Sequence, residues 1–215
     1  MSHLRTEDIQ FIDTYLKNSD IIFTDIRIEM VDHIASEIEY LMDSGDTRGF
    51  YHTFKDYMVE NKKKLLKDRK EYYKASDKKI FRILLKKIFS FHGVVIFFLS
   101  LLSFNLINEF VDNTVILQIV KNAPFFLLII IAIVYYLFIR KRKERYSSIE
   151  RIAFYFTLMG QLTNIMMNSN IEIATIAHLT RIKIGASLFI LLIITLLMTA
   201  FELKKEYVLK YKKVL

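Results

Sequence analysis

Four stretches of this chain contain no Asp, Glu, Lys or Arg and are mostly apolar: residues 88–108, 122–139, 152–171 and 184–201, which is 21, 18, 20 and 18 residues. At about 1.5 Å per residue each reaches roughly 27–32 Å as a helix, close to the ~30 Å hydrocarbon thickness of a bilayer. Hydrocarbon offers no partner to a backbone amide, so segments of this kind are expected to close their hydrogen bonds internally as helices. The second and fourth stretches are nearly unbroken Leu, Ile and Phe from Phe125 to Ile139 and from Leu188 to Ala200. The second is expected to begin earlier, near Thr114, with Lys121 snorkelling outward and Pro124 in its outer part. The third is the most polar, carrying Thr157, Gln161, Thr163, Asn164 and Asn168.

Charge is distributed in blocks. Residues 1–61 hold 5 Lys/Arg against 13 Asp/Glu, residues 62–87 hold 12 against 3, and residues 88–215 hold 14 against 7. The net charge of +8 therefore describes basic segments beside the apolar stretches and not a uniformly basic protein, which argues against direct nucleic-acid binding. Arg140, Lys141, Arg142, Lys143, Arg145 and Arg151 connect the second and third stretches, and Lys204, Lys205, Lys210, Lys212 and Lys213 follow the fourth. The alternate connections hold only Lys121 in 109–121, and Arg181 and Lys183 in 172–183. The positive-inside rule then places both termini in the cytoplasm. The acidic N-terminus lacks a long apolar core, so no cleavable signal peptide is expected. With no Cys in the chain, disulfides, thiol nucleophiles and cysteine-based metal sites are excluded.

The first 61 residues read as three short helices. Thr6 is expected to cap a helix to about Lys17 with Ile9, Ile12, Tyr15 and Leu16 at helical spacing. Thr24 is expected to cap a second helix, apolar at Ile26, Met30, Ile34, Ile38, Leu41 and Met42 and stopped by Gly45. A third follows Thr47 with Phe50, Phe54, Tyr57 and Met58. A module of this size buries little apolar area and needs a partner. Residues 62–87 form a basic amphipathic linker suited to anionic lipid or to contact with the acidic module.

The run Ile26-Arg27-Ile28-Glu29-Met30-Val31-Asp32-His33-Ile34-Ala35-Ser36-Glu37-Ile38-Glu39, with Met42, Gly45 and the Phe50–Phe54 segment after it, resembles the HAAS-type helical signalling domain of bacterial membrane proteins. The resemblance covers about residues 6–60. It implies a non-enzymatic cytoplasmic regulatory or interaction module ahead of several spans in the bacterial inner membrane, in a family often associated with PadR-type transcriptional regulators.

Two constellations are candidate sites. Glu29, Asp32, His33 and Glu37 lie together on the second helix and are the expected partner-binding residues. A metal site using Glu29, His33 and His52 is the sharper alternative to a solvated acidic face, which is the reading adopted. Thr157, Gln161, Asn164 and Asn168 are spaced four, three and four, so they form one stripe expected to face the bundle or another subunit, either as packing contacts or as a ligand cavity. Residues 171–183 are expected to form an amphipathic helix on the outer surface. Enzyme motifs are absent.

The sequence therefore leads to an all-α chain: an acidic cytoplasmic helical module (1–61), a basic linker helix (62–87) and a four-span domain (88–215; spans about 88–108, 115–139, 152–171 and 184–203) with a basic tail. It is expected to be a regulatory or adaptor protein without a cofactor, contacting anionic lipid and a second copy or a membrane-protein partner. The alternative is a carrier of lipid or small molecules using the third-span stripe.

Overall fold

A computed structural model describes residues 4–46, 48–140, 145–168 and 176–211. Among the described residues the chain is all-helical: α1 (Thr6–Asn18), α2 (Thr24–Asp43), α3 (Phe50–Ile88), α4 (Phe91–Asn108), α5 (Asn113–Val134, continued by a π-helical turn, Tyr135–Ile139), α6 (Ser147–Asn168) and α7 (Ile176–Tyr211). Three of these, over Phe91–Asn108, Asn113–Ile139 and His178–Lys210, are long and apolar enough to cross a membrane.

The three N-terminal helices enclose their own core. Ile12 and Leu16 of α1 meet Ile34 and Ile38 of α2, and Phe54 and Leu65 of α3 close the cluster. Arg27 ties α2 to α1 by donating to Asp13 at 2.5 Å and to the Ile21 carbonyl at 3.3 Å. The caps differ from the sequence expectation. Thr6 and Thr24 are the first helical residues and neither caps by its side chain; Asp8 reaches back to accept from the Arg5 amide at 3.1 Å. Gly45 ends α2 as expected, at φ 113°, a conformation that costs a glycine little. Thr47, expected to precede the third helix, lies outside the described residues.

Helix α3 is a single 39-residue helix that runs through the boundary between the acidic and basic segments without a break. Its first half completes the N-terminal core. Its second half carries Ile80, Ile83 and Leu84 onto the core of the bundle. A tight turn at Phe89 and Ser90 leads into α4. The Ser90 hydroxyl accepts from the Gly93 amide at 3.2 Å, and a Cβ at Gly93 would lie 2.2 Å from the Ile88 carbonyl oxygen, so only glycine fits there.

The bundle has two apolar clusters. Near the basic end, Ile131, Tyr135 and Ile139 pack with Ile152 and Phe156 of α6 and Ile193, Leu196 and Leu203 of α7. Near the other end, Phe104, Ile116, Val120, Leu179 and Ala186 pack together, with Met166 of α6 against them. Helix α6 therefore extends from one cluster to the other beside α5 and α7, although it is too polar to count among the three apolar helices. Phe91, Phe98 and Leu102 of α4 and Ile130 and Ile133 of α5 are exposed, an outward apolar surface suited to lipid.

Two expectations change here. Lys121 does not snorkel outward; it is 7 % exposed, because its position on α5 faces the bundle with Val120 and Pro124. Ile176, His178, Leu179 and Arg181 do not form a separate surface helix but the first turns of α7. Ile171, Glu172 and Ile173, and the basic residues Lys141, Arg142, Lys143, Lys212 and Lys213, lie outside the described residues.

Candidate functional site

The first residues of a helix leave amide groups without intrahelical acceptors and carry positive partial charge. At the start of α6 that need is met from a distant helix. Asp25 of α2, 6 % exposed, accepts from the Ser147 amide at 2.9 Å and from the Ser147 hydroxyl at 2.5 Å. One residue earlier, the Thr24 amide donates to the Arg145 carbonyl at 2.8 Å, and the Arg145 guanidinium lies 5.4 Å from the centre of the Phe23 ring. The start of α2 is thus bonded to the segment that launches α6, and Ile28 of α2 packs against the bundle core.

Helices α3 and α7 complete the junction. Ser76 and Ser147 share a hydroxyl contact of 2.8 Å, and Ser148 and Tyr207 one of 2.7 Å. The Tyr207 ring stacks on Tyr146 with centroids 4.8 Å apart. Arg151 of α6 grips Asp77 of α3 with two bonds of 2.7 and 2.6 Å, and the Tyr155 hydroxyl donates to Asp77 at 2.8 Å. Lys79 and Glu206 pair at 2.6 Å and Lys87 and Glu202 at 2.5 Å, joining α3 to α7. Burial pushes the Asp77 carboxyl upward, but the hydrogen bonds and charge supplied by Arg151 and Tyr155 outweigh it, so the group is held below the usual carboxylate range. Between these groups lies a polar cavity of about 140 Å³, lined among others by Asp25, Glu29, Ser76, Lys79, Ser147 and Glu206.

The sequence candidates fall in different places. Of the four expected partner-binding residues, Glu29 lines the junction cavity; Asp32 and His33 are exposed on α2 and Glu37 is half-buried. Among the described residues no group of three or more His, Cys, Asp or Glu is arranged to hold a metal ion, so Glu29, His33 and His52 are not brought together as one. The α6 stripe does not face the bundle. Thr157, Gln161, Asn164 and Asn168 are all exposed, whereas Ile152, Phe156 and Thr163 form the buried side of the helix. Thr157, Gln161 and Asn164 border an open groove of about 580 Å³ between α5 and α6, and Asn168 donates to the Asn164 side-chain oxygen at 2.8 Å.

Ser147, Ser148, Arg151, Asp77 and Tyr207 were not singled out from sequence. One signal was available: Ser147-x-x-Glu150 has the form of a capping box before an apolar run. In the structure that box is divided, with Ser147 held by Asp25 and Glu150 paired to Arg145 at 3.0 Å. No family model, curated protein or solved structure matches the chain.

Proposed function

We propose that this chain is a four-span regulatory or adaptor protein of the bacterial inner membrane, with both termini in the cytoplasm, whose N-terminal helices bind a protein partner and transmit its presence to the bundle. The observation that carries this reading is the carboxylate of Asp25 seated on the first turn of α6. A module that merely hung from the membrane would have no reason to supply a cap to a helix 122 residues away in sequence. In support of α6 as the fourth span, it reaches both apolar clusters beside two helices of membrane-crossing length. The basic connection before it and the basic end of α7 then lie on the cytoplasmic side. The resemblance of residues 26–39 to HAAS-type signalling domains points the same way.

The face of α2 bearing Asp32 and His33, with Glu37 at its edge, is left for the partner. Copurification of the full chain from native membranes, compared with an Asp32→Lys/Glu37→Lys variant, tests this. The expected result is loss of a specific companion protein while the amount of membrane-inserted chain stays the same. The same companions for both chains would contradict it.

A further inference from the structure

The stripe on α6 presents a physical problem that the chain solves only in part. Gln161 and Asn164 are exposed on the flank of α6 and border the open groove against α5; the Asn164 side-chain oxygen accepts from Asn168 one turn on, and the Thr157 hydroxyl donates to the Ala153 carbonyl, while the Gln161 amide is left facing the groove. In hydrocarbon an amide without a partner is costly, and such groups are found against another helix or a water-filled space. The groove has no charged residue in its lining, so it offers nothing to an ionic ligand. Ala132, Ala153 and Gly160 keep its floor low, which allows a helix backbone to approach closely.

We propose that this groove is the seam of a homodimer, in which α6 of a second copy lies parallel to the first across a two-fold axis along the membrane normal. This rests on the placement of α6 across the membrane argued above. The choice of a second copy follows from the chemistry of the stripe. A carboxamide is both donor and acceptor, so it is complementary to itself. Two copies inserted in the same orientation hold Thr157, Gln161 and Asn164 at the same depth, and a two-fold axis sets each against its own equivalent. A different protein would need matching amides at matching depths; a second copy has them by construction.

The absence of native cysteine allows a direct test on the full chain in native membranes. Single variants Gln161→Cys and Asn164→Cys, oxidised with copper phenanthroline, are expected to give a disulfide-linked species of twice the chain's mass. Phe98→Cys and Leu102→Cys, on the exposed face of α4, are expected to give little. In mild detergent the Gln161→Leu/Asn164→Leu chain is expected to dimerise roughly tenfold or more weakly than the unmodified chain. Two results would overturn the seam: an unmodified chain that is monomeric in detergent, or cysteines at 161 and 164 that stay unlinked while resisting a membrane-impermeant maleimide. Rapid labelling of Gln161→Cys by that maleimide would instead refute the placement of α6 in the membrane, and the dimer seam with it.

Discussion

Replacing Asp25 by Ala is expected to release the N-terminal helices from the bundle. The substitution removes the acceptor for the Ser147 amide and hydroxyl at a site where both are buried. Removing the cap strands the buried Ser147 amide, while the Ser147 hydroxyl keeps its contact with Ser76, so docking should weaken by about 1–3 kcal/mol. That corresponds to a factor of roughly 5–150 in the docking equilibrium. Hydrogen exchange of the full chain in lipid nanodiscs should show faster exchange in residues 24–30 and 145–151, with the α1–α2 contacts around Ile12 and Ile38 largely kept. Asp25→Asn, which keeps one carbonyl acceptor, should fall between the two. Unchanged exchange in Asp25→Ala would mean that the cap does not hold the module in place.

The second large effect is expected from Arg151→Met. Methionine fills much of the space of the arginine stem but leaves Asp77 with only the Tyr155 hydroxyl among the bonds described above. The pair is about one-third exposed, at 34 % and 29 %, so solvent screens part of its value. A loss of about 1–3 kcal/mol follows, less than for a fully buried pair. The same pair sets a pH dependence. Because the Asp77 carboxyl is held below its ordinary range, it stabilises the fold at pH above about 4, where the unfolded carboxylate is ionised. That contribution is lost as pH falls through the lowered folded value. Asp46, held low chiefly by its bonds from Arg48, adds to the same acid limb, so the diagnostic quantity is a difference between chains. Thermal melts followed by circular dichroism should show Arg151→Met less stable at neutral pH and converging on the unmodified chain below about pH 4. Parallel curves across that range would show that the Asp77 carboxyl does not set the acid limb.

Local features of the fold were legible because they depend on neighbours in sequence. The periodic apolar positions of α1 and α2, the stop at Gly45 and the apolar runs that became α5 and α7 all follow from spacing and composition. The junction was not legible, since Asp25 and Ser147 lie 122 residues apart and neither is unusual alone. Asp25 reads as one more member of an acidic face until the start of α6 is placed against it. Lys121 is buried and does not reach outward for a related reason: a lysine near the end of an apolar run can do either, and helix rotation against neighbours decides which. Spacing places Thr157, Gln161, Asn164 and Asn168 on one stripe, but which way the stripe faces depends on Ile152, Phe156 and Thr163 taking the inward side of α6.

The N-terminal helices sit on the first turn of α6. A Phe23→Cys/Arg145→Cys chain, free of any background thiol and with Asp25 and Ser147 intact, tests this docking most directly. Phe23 and Arg145 form an isolated parallel β-bridge between the start of α2 and the segment before α6, so the paired thiols should close into an intramolecular disulfide under mild oxidation of native membranes. A chain with His33→Cys in place of Phe23→Cys should remain open, because His33 is exposed farther along α2. Equal linkage in both chains, or none in either, would contradict the docked arrangement.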